Sequence, residues 1–328
     1  MARSGSVEEQ LAVLAELGRR PLDEAAIVTV RRLLGAKSCN VVARAARLVG
    51  ERELSGLEEA LEQAFNRNMT DPIRRDPGCT AKIAIVEALD CLSSDRVSPF
   101  ERAIRHRQLE PAWGQPVDTA ARLRGVAALG LVRLGHPGLL YELPRLLADA
   151  EPETRALAAR ALGGTGRAAA LPVLAFKIHL GDTDPAVLGE CFASLLTMDP
   201  DPGLELAAEK LTAPDGGIAE AAAMALGESR LDEAFEPLVT ALETTLDRER
   251  RRVLLLSLAL LRRDRAVDHL VDLVADGRAA EAADAMAALR IYRDDTGLRT
   301  RLGDIVDRRA DRELARAFAE AFGPGDPG

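Results

Sequence analysis

A unit of roughly thirty residues is written again and again along this chain, and a fixed period of that length points to stacked helical hairpins before any other architecture. Leu123–Asp149 reads LRGVAALGLVRLGHPGLLYELPRLLAD, and Thr154–Leu180 reads TRALAARALGGTGRAAALPVLAFKIHL. Ile218–Leu246 reads IAEAAAMALGESRLDEAFEPLVTALETTL. The anchor is an Ala-Leu-Gly triplet at Ala128, Ala161 and Ala225, with degenerate copies starting at Ser194, Ala259 and Ala288. Successive anchors are 33, 33, 31, 34 and 29 residues apart.

Each unit reads helix, turn, helix. Leu157 and Ala161 stand one turn apart with Ala158 and Leu162 beside them, an apolar stripe at helical spacing. Gly163, Gly164 and Gly166 are expected to end that helix, because glycine accepts the left-handed conformation at a helix C-terminus. Leu171, Leu174 and Ile178 repeat the stripe in the second helix. Pro144, Pro172 and Pro237 fall near the expected starts of second helices, where a missing N–H has no intrahelical partner. Alanine favours helix and lets neighbouring helices approach. One hairpin cannot bury its apolar face alone, so stacked neighbours must complete the core.

Length alone, 328 residues, would allow two globular domains; the repeat predicts one solenoid instead. Aromatic residues are 3% of the chain, so the predicted core is aliphatic. The formal net charge of −9 lies beyond residue 110: residues 1–110 hold 17 basic and 17 acidic side chains, residues 111–328 hold 26 and 35. An acidic body disfavours nucleic acid, whose binding rests on neutralising phosphates, and leaves basic proteins or cationic peptides as partners. Cys39, Cys79, Cys91 and Cys191 show no metal-ligand spacing and read as small buried apolar residues in a reducing compartment. The first twenty residues lack the apolar core of a secretory signal. No run reaches the ~20 apolar residues that a membrane span needs. The expectation is a cytoplasmic protein without membrane contact.

In chain order, residues 1–6 are expected to fray, with Ser6 and Glu9 forming a capping box for a helix over Val7–Leu17. Helices follow over Leu22–Leu34 (Ala25, Ile27, Val30, Leu33 and Leu34 inward), Val41–Glu51 and Leu57–Asn68. Met69–Gly78 is a break, with Pro72, Pro77 and turn chemistry at Asp76-Pro77-Gly78. Thr80–Leu92 is helical with Ile83, Val86 and Leu89 inward, and Ser98 is expected to cap a short helix from Pro99 to His106. Arg107–Val117, RQLEPAWGQPV, is the longest irregular stretch and holds the sole tryptophan. Loops of that length in a compact array are often functional. Asp118 is expected to cap a helix to Leu134, and regular pairs then run to residue 308. The whole is organised as divergent capping repeats over 1–78, an irregular repeat over 79–117, regular repeats over 118–309, a capping helix over 310–322 and a disordered tail over 323–328.

The repeated Ala-Leu-Gly anchor, the glycine break and the apolar helix opened near a proline resemble the HEAT-like repeats first named for phycobilisome lyases. The resemblance covers residues 118–308 well and 7–105 loosely. It implies an all-α fold, an α-α superhelix (solenoid) of about nine helix-turn-helix repeats, and a binding role for its surface. The class holds bilin lyases as well as many scaffolds, and no catalytic residue carries over.

Three constellations are candidate sites. Met69–Gly78 and Arg107–Val117 both join a second helix to the next first helix, so they should emerge on one edge about 10 Å apart. Together they offer Arg74, Arg75, His106, Arg107, Trp113 and Gln115, a rigid aromatic among basic side chains, as at interface anchors. Alternatively Trp113 folds down over the apolar end of a short repeat. Second, Arg248, Arg250, Arg251 and Arg252 open a helix, where the macrodipole disfavours cations, and Arg262, Arg263 and Arg265 close it. They contact an acidic partner or anion, or else simply pair with Asp247, Glu249 and Asp264. Third, Glu233, Glu236, Glu243, Asp268, Asp272 and Asp276 lie on second helices, as an acidic inner face or as ordinary amphipathic patterning.

Signals for catalysis are poor. His106, His136, His179 and His269 belong to different repeats, and Asp268-His269 with Asp272 imitates a ligand pair that a wet helix face also produces. No phosphate loop or nucleophile elbow is present. The reading is a non-catalytic scaffold for a protein or peptide, with no cofactor, metal or catalytic residue. Its rivals are a lyase- or chaperone-like protein acting on a tetrapyrrole-bearing partner and, against the charge, a nucleic-acid-binding HEAT-like protein.

Overall fold

Local capping chemistry sets where the helices begin. Ser6 Oγ accepts from the Glu9 N–H at 3.2 Å while the Glu9 carboxylate accepts from the Ser6 N–H at 2.9 Å, closing the expected capping box. At several other helices the cap is aspartate: Asp23, Asp184, Asp215, Asp247, Asp295 and Asp311 each accept a first-turn N–H. A carboxylate there satisfies an orphan donor and complements the helix dipole. Asp184, Asp215 and Asp247 recur with nearly the period of the repeat, so part of the acidic excess is capping chemistry.

The structure, a computed structural model, describes residues 6–323. Residues 1–5 of the expected frayed start and 324–328 of the expected tail lie outside the described residues. The chain divides into two compact units, Met1–Thr165 and Gly166–Gly328.

The first unit runs α1 (Val7–Leu17), α2 (Glu24–Leu34), α3 (Cys39–Glu51), α4 (Glu58–Asn68), α5 (Pro72–Arg75), α6 (Thr80–Cys91) and α7 (Val97–Ala103). A two-stranded antiparallel ribbon follows, β1 (Leu109–Glu110) with β2 (Val117–Asp118), pairing Leu109 with Asp118 and Glu110 with Val117. Then come α8 (Ala121–Arg133), α9 (Leu139–Leu147) and α10 (Pro152–Gly164). First helices pack on the next first helices, α3 on α6 and α8 on α10. The second unit holds α11 (Leu171–Leu180), α12 (Pro185–Met198), α13 (Pro200–Lys210), α14 (Gly216–Ser229), α15 (Phe235–Thr244) and α16 (Arg248–Leu260). It continues with α17 (Asp264–Asp276), α18 (Ala279–Ala288), α19 (Thr296–Arg309) and α20 (Arg312–Phe322). Here α12, α14, α16, α18 and α20 pack in series. Each unit is an all-α stack of helical hairpins, the solenoid arrangement, and the buried anchor residues Ala128, Ala161, Leu162, Ala225 and Leu226 lie on first helices that pack on one another.

The repeat period reappears in the hydrogen bonds that tie neighbouring hairpins. Thr154 Oγ1 donates to the Ala121 carbonyl at 3.0 Å, Tyr292 Oη to Ala259 at 2.7 Å, Arg263 Nε to Arg230 at 2.9 Å and Arg67 Nη2 to Leu34 at 2.6 Å, each across 33 residues. The acceptors Leu34, Arg230 and Ala259 lie at helix C-termini, where carbonyls are left open.

Several local expectations are corrected. Gly163 and Gly164 lie inside α10, and the left-handed residue that ends it is Gly166 (φ 60°). In the equivalent turns that position is Gly135 (φ 63°), Arg230 (φ 55°) and Arg262 (φ 52°). Pro144 sits in the interior of α9, not at its start. Met69–Gly78 is not wholly irregular, since it contains α5. Ser98 does not cap the short helix, which begins at Val97. Ala26, not Ala25, faces the core of α2, and in α6 the buried stripe includes Lys82 where Ile83 was expected. The stretch Arg107–Val117 is a β-ribbon around a six-residue loop, because Pro111 and Pro116 bound a reversal that Gly114 completes at φ 101°.

Candidate functional site

The ribbon of the first unit stands on two buried ionic networks. Arg124 comes from α8, where its side chain falls on the inward face between Leu123 and Val126. Only 2% of it is exposed, and it bridges two equally buried carboxylates: Nη1 to Asp118 Oδ2 at 2.8 Å and Nη2 to Asp149 Oδ1 at 2.9 Å. It also donates to the His106 carbonyl at 3.0 Å and to Thr154 Oγ1 at 3.3 Å. Asp118, the second residue of β2, accepts from the backbone N–H of Gln108 and of Ala120, both at 3.1 Å. One aspartate therefore joins the ribbon to the start of α8, close to its expected capping role, although α8 begins at Ala121.

The second network lies under the turn between α5 and α6. Asp76 and Lys82 are both wholly buried and pair at 3.0 Å, and Asp76 also accepts the N–H of Ala81 at 2.8 Å and of Lys82 at 3.0 Å. Gln108 Nε2 reaches the Asp76 carbonyl at 2.9 Å, and Glu110 Oε1 accepts the Gly78 N–H at 2.7 Å and Thr119 Oγ1 at 2.9 Å. The two loops expected to stand about 10 Å apart are thus in direct contact. Cys79, at 3.5 Å from Gln108 Oε1, has its thiol pushed up to about 12 by burial, so it is no nucleophile at neutral pH.

The networks leave a signature in acid. Burial alone would raise the Asp118 carboxyl, but the N–H groups of Gln108 and Ala120 and the Arg124 guanidinium hold it below its ordinary 3.8. Glu110 is likewise held below 4.5, against the effect of burial, by Gln108, Gly78 and Thr119. A carboxyl depressed in the folded state stabilises above its unfolded pKa and loses that contribution as pH falls through the folded one. Melting temperature is therefore expected to stay level down to about pH 5 and to fall below about pH 4. Asp118→Asn should flatten that fall. An unchanged acid limb in the variant would show that Asp118 is not the group responsible.

The predicted ribbon residues distribute around this base. Arg74 and Arg75 are exposed on α5. His106 is half-buried 3.2 Å from Gln108 Oε1, its imidazole held below the usual range first of all by burial. Arg107 is half-exposed and pairs with Asp149 at 2.8 Å. Gln115 is exposed in the loop beside Trp113, and Trp113 is 107% exposed, which removes the alternative in which it folds down over a repeat end. Leu109 and Val117 flank it on the ribbon, both more than half exposed. Lys82, Arg124 and Asp149 are residues of the site missed in the sequence, where Asp76 is read only as part of a turn. Two of them carried a signal, since Lys82 and Arg124 interrupt apolar stripes at inward positions.

In the second unit, Arg250 Nη2 donates to the carbonyls of Ala213 at 3.1 Å and Pro214 at 3.2 Å, while Arg251 pairs with Glu281 and reaches the Thr245 carbonyl at 3.3 Å. Arg248 and Arg252 both hold Asp284 at 2.9 Å. The arginines at the start of α16 are engaged within the chain. Glu236, Asp268 and Asp272 are exposed on α15 and α17, and Asp268 pairs with Arg301 at 2.6 Å. His269 does not join Asp268 and Asp272 as a ligand set; its ring stands edge-on to Phe235, with centroids 5.8 Å apart. Among the described residues no three histidine, cysteine or acidic side chains converge to hold a metal ion, and no helix is long and apolar enough to cross a membrane.

The family described as HEAT repeats matches residues 116–195, the stretch that carries β2, α8 to α11 and most of α12. No curated protein matches the chain. Among solved structures, an engineered protein is 21% identical over 99% of this chain and 97% of that one, with a TM-score of 0.36. The complex of CpcE and CpcF of phycocyanin lyase from Nostoc sp. is 18% identical over 88% and 95%, with a TM-score of 0.39. Kap121p is 13% identical over 98% of this chain and 46% of that one, with a TM-score of 0.44. HEAT repeats are thus matched over residues 116–195, and helical hairpins of the same build continue on either side of that stretch.

Proposed function

We propose that this chain is a non-catalytic protein-interaction scaffold and that the Trp113 ribbon of its first unit is a contact surface for a protein partner. The observation that carries the reading is the complete exposure of Trp113 on a ribbon fixed from below by buried ion pairs. A solvent-exposed indole forgoes the burial that makes tryptophan valuable in a core and is the side chain most often used as an interface anchor. Its base is already ordered, so docking surrenders little conformational entropy. Arg74 and Arg75 stand on α5, just before the turn whose Gly78 N–H Glu110 accepts, and supply a polar rim.

Trp113→Ala is expected to leave thermal stability within about 0.5 kcal/mol of the parent, because the side chain supports nothing. Partner binding should weaken at least about tenfold, as for an anchor residue. A photo-crosslinking residue at position 113 should capture the partner, while one at another exposed site of the first unit, such as position 28, should not. A partner bound with equal affinity by the alanine variant would rule the ribbon out. Since Trp113 is the sole tryptophan, its fluorescence reports the same event directly. Acrylamide should quench the free protein efficiently and the complex poorly.

A further inference from the structure

Helix α11 of the second unit is turned the wrong way for its own composition. It reads LPVLAFKIHL. Lys177 is 8% exposed, while its neighbour Phe176 is 65% exposed and Leu180 is 66% exposed. Rotating the helix by one residue, about 100°, would bury the phenylalanine and free the lysine. The fold instead holds Lys177 Nζ 2.7 Å from Asp182 Oδ2, in a pair whose side chains are 10% and 2% exposed. Beside this pair Cys191 is buried, and that burial pushes its thiol up to about 12. Burying an ion pair carries a desolvation penalty, and leaving Phe176 and Leu180 in water forgoes their burial. Both departures run against stability, which is where a binding surface is to be sought.

Phe176 and Leu180 stand one turn apart, and Pro172 is exposed one turn earlier, so the apolar stripe is about two turns long. The next second helix, α13, carries exposed carboxylates, Glu205 and Glu209. Helices α11 and α13 both pack on α12, and Glu209 pairs with Lys210 at 2.9 Å; its carboxyl is lowered first by that lysine and to a lesser degree by His179 of α11. The unit as a whole carries 20 basic and 30 acidic residues. A second copy of the unit would bring like charge to this face, and an anionic lipid surface would be repelled in the same way.

We infer that the outer face of α11 docks a basic amphipathic helix of a partner protein. Two apolar side chains one turn apart cover Phe176 and Leu180, and flanking lysines or arginines face Glu205 and Glu209. This inference rests on the scaffold reading but uses a different surface from the Trp113 ribbon.

The test is selection from a displayed library of short helical peptides against the full chain. Parallel baits carry Phe176→Asp with Leu180→Asp, or Trp113→Ala, and circular dichroism confirms that each is folded. Phe176→Ala and Leu180→Ala serve as milder substitutions if the aspartates disturb α11. Enriched peptides are expected to be basic, to carry apolar residues three or four apart, and to lose affinity at least about tenfold in the Phe176/Leu180 bait while keeping it in the Trp113 bait. Their affinity should also fall as salt rises. Acidic ligands, ligands indifferent to Phe176 and Leu180, or no ligand at all would overturn the inference. So would light scattering that shows a dimer dissociated by the same substitutions, since the face would then be a self-contact. Ligands lost only in the Trp113 bait would uphold the scaffold reading and overturn this one.

Discussion

Arg124→Met is expected to destabilise the first unit by about 3–5 kcal/mol, the range for removing one partner of a buried charge cluster. The magnitude follows from what the substitution leaves behind. Asp118 and Asp149 each have a side chain no more than 3% exposed, and both depend on the Arg124 guanidinium. Arg107 contacts the same two carboxylates, at 3.6 and 2.8 Å, but it is half in solvent and cannot replace a buried cation. Without Arg124 the two carboxylates face each other in low dielectric, and the His106 carbonyl and Thr154 hydroxyl lose a donor. Urea unfolding followed by circular dichroism measures the loss. Adding Asp118→Asn and Asp149→Asn to Arg124→Met should recover a large part of it, because the uncompensated charge is then gone. A loss below about 1 kcal/mol for the single variant, the size expected of a surface pair, would show that the network does not hold the ribbon base together.

Gly227→Ala should cost the second unit about 2–3 kcal/mol, although alanine is the better helix former by about 1 kcal/mol. A Cβ at Gly227 in α14 would lie 2.5 Å from the Ser257 carbonyl oxygen and 2.7 Å from its Cα, both main-chain atoms of α16. Backbone cannot rotate away as a side chain can, so the two helices must separate and the contact between them loosens. Gly189 of α12 is the control. A Cβ there meets only the Ala221 Cβ, at an ordinary 3.8 Å. Gly189→Ala should therefore be neutral or stabilising by up to about 1 kcal/mol on helix propensity alone. The measurement is the difference between the two melting curves, and equal effects would mean that the close approach of α14 and α16 is not tight.

This pair also explains why the glycine of the repeat was misread. Gly163 and Gly166 look alike in sequence as helix stops. Only Gly166 has the left-handed φ, while Gly163 continues α10 and Gly227 lies inside α14. A glycine needed for conformation and one needed for clearance are identical letters. The distinction depends on a neighbour some thirty residues away.

What the sequence determined by itself was the hairpin and its repetition. Helical period, aspartate caps and turn residues act within a few positions of one another, so the anchors at Ala128, Ala161 and Ala225 could be placed without coordinates. What only the tertiary structure decided was which side of a helix faces inward where polarity misleads. Lys82, Arg124 and Lys177 are buried because Asp76, Asp118 and Asp149, and Asp182 meet them, and Phe176 is exposed as a consequence of the last pair. The Trp113 ribbon belongs with these. Its two short strands have no period to read, and they exist because Asp118 and Glu110 are held by groups on α8, on the turn before α6 and on the ribbon itself. Short-range rules write the repeats, and long-range charge pairing sets the places where they depart from pattern.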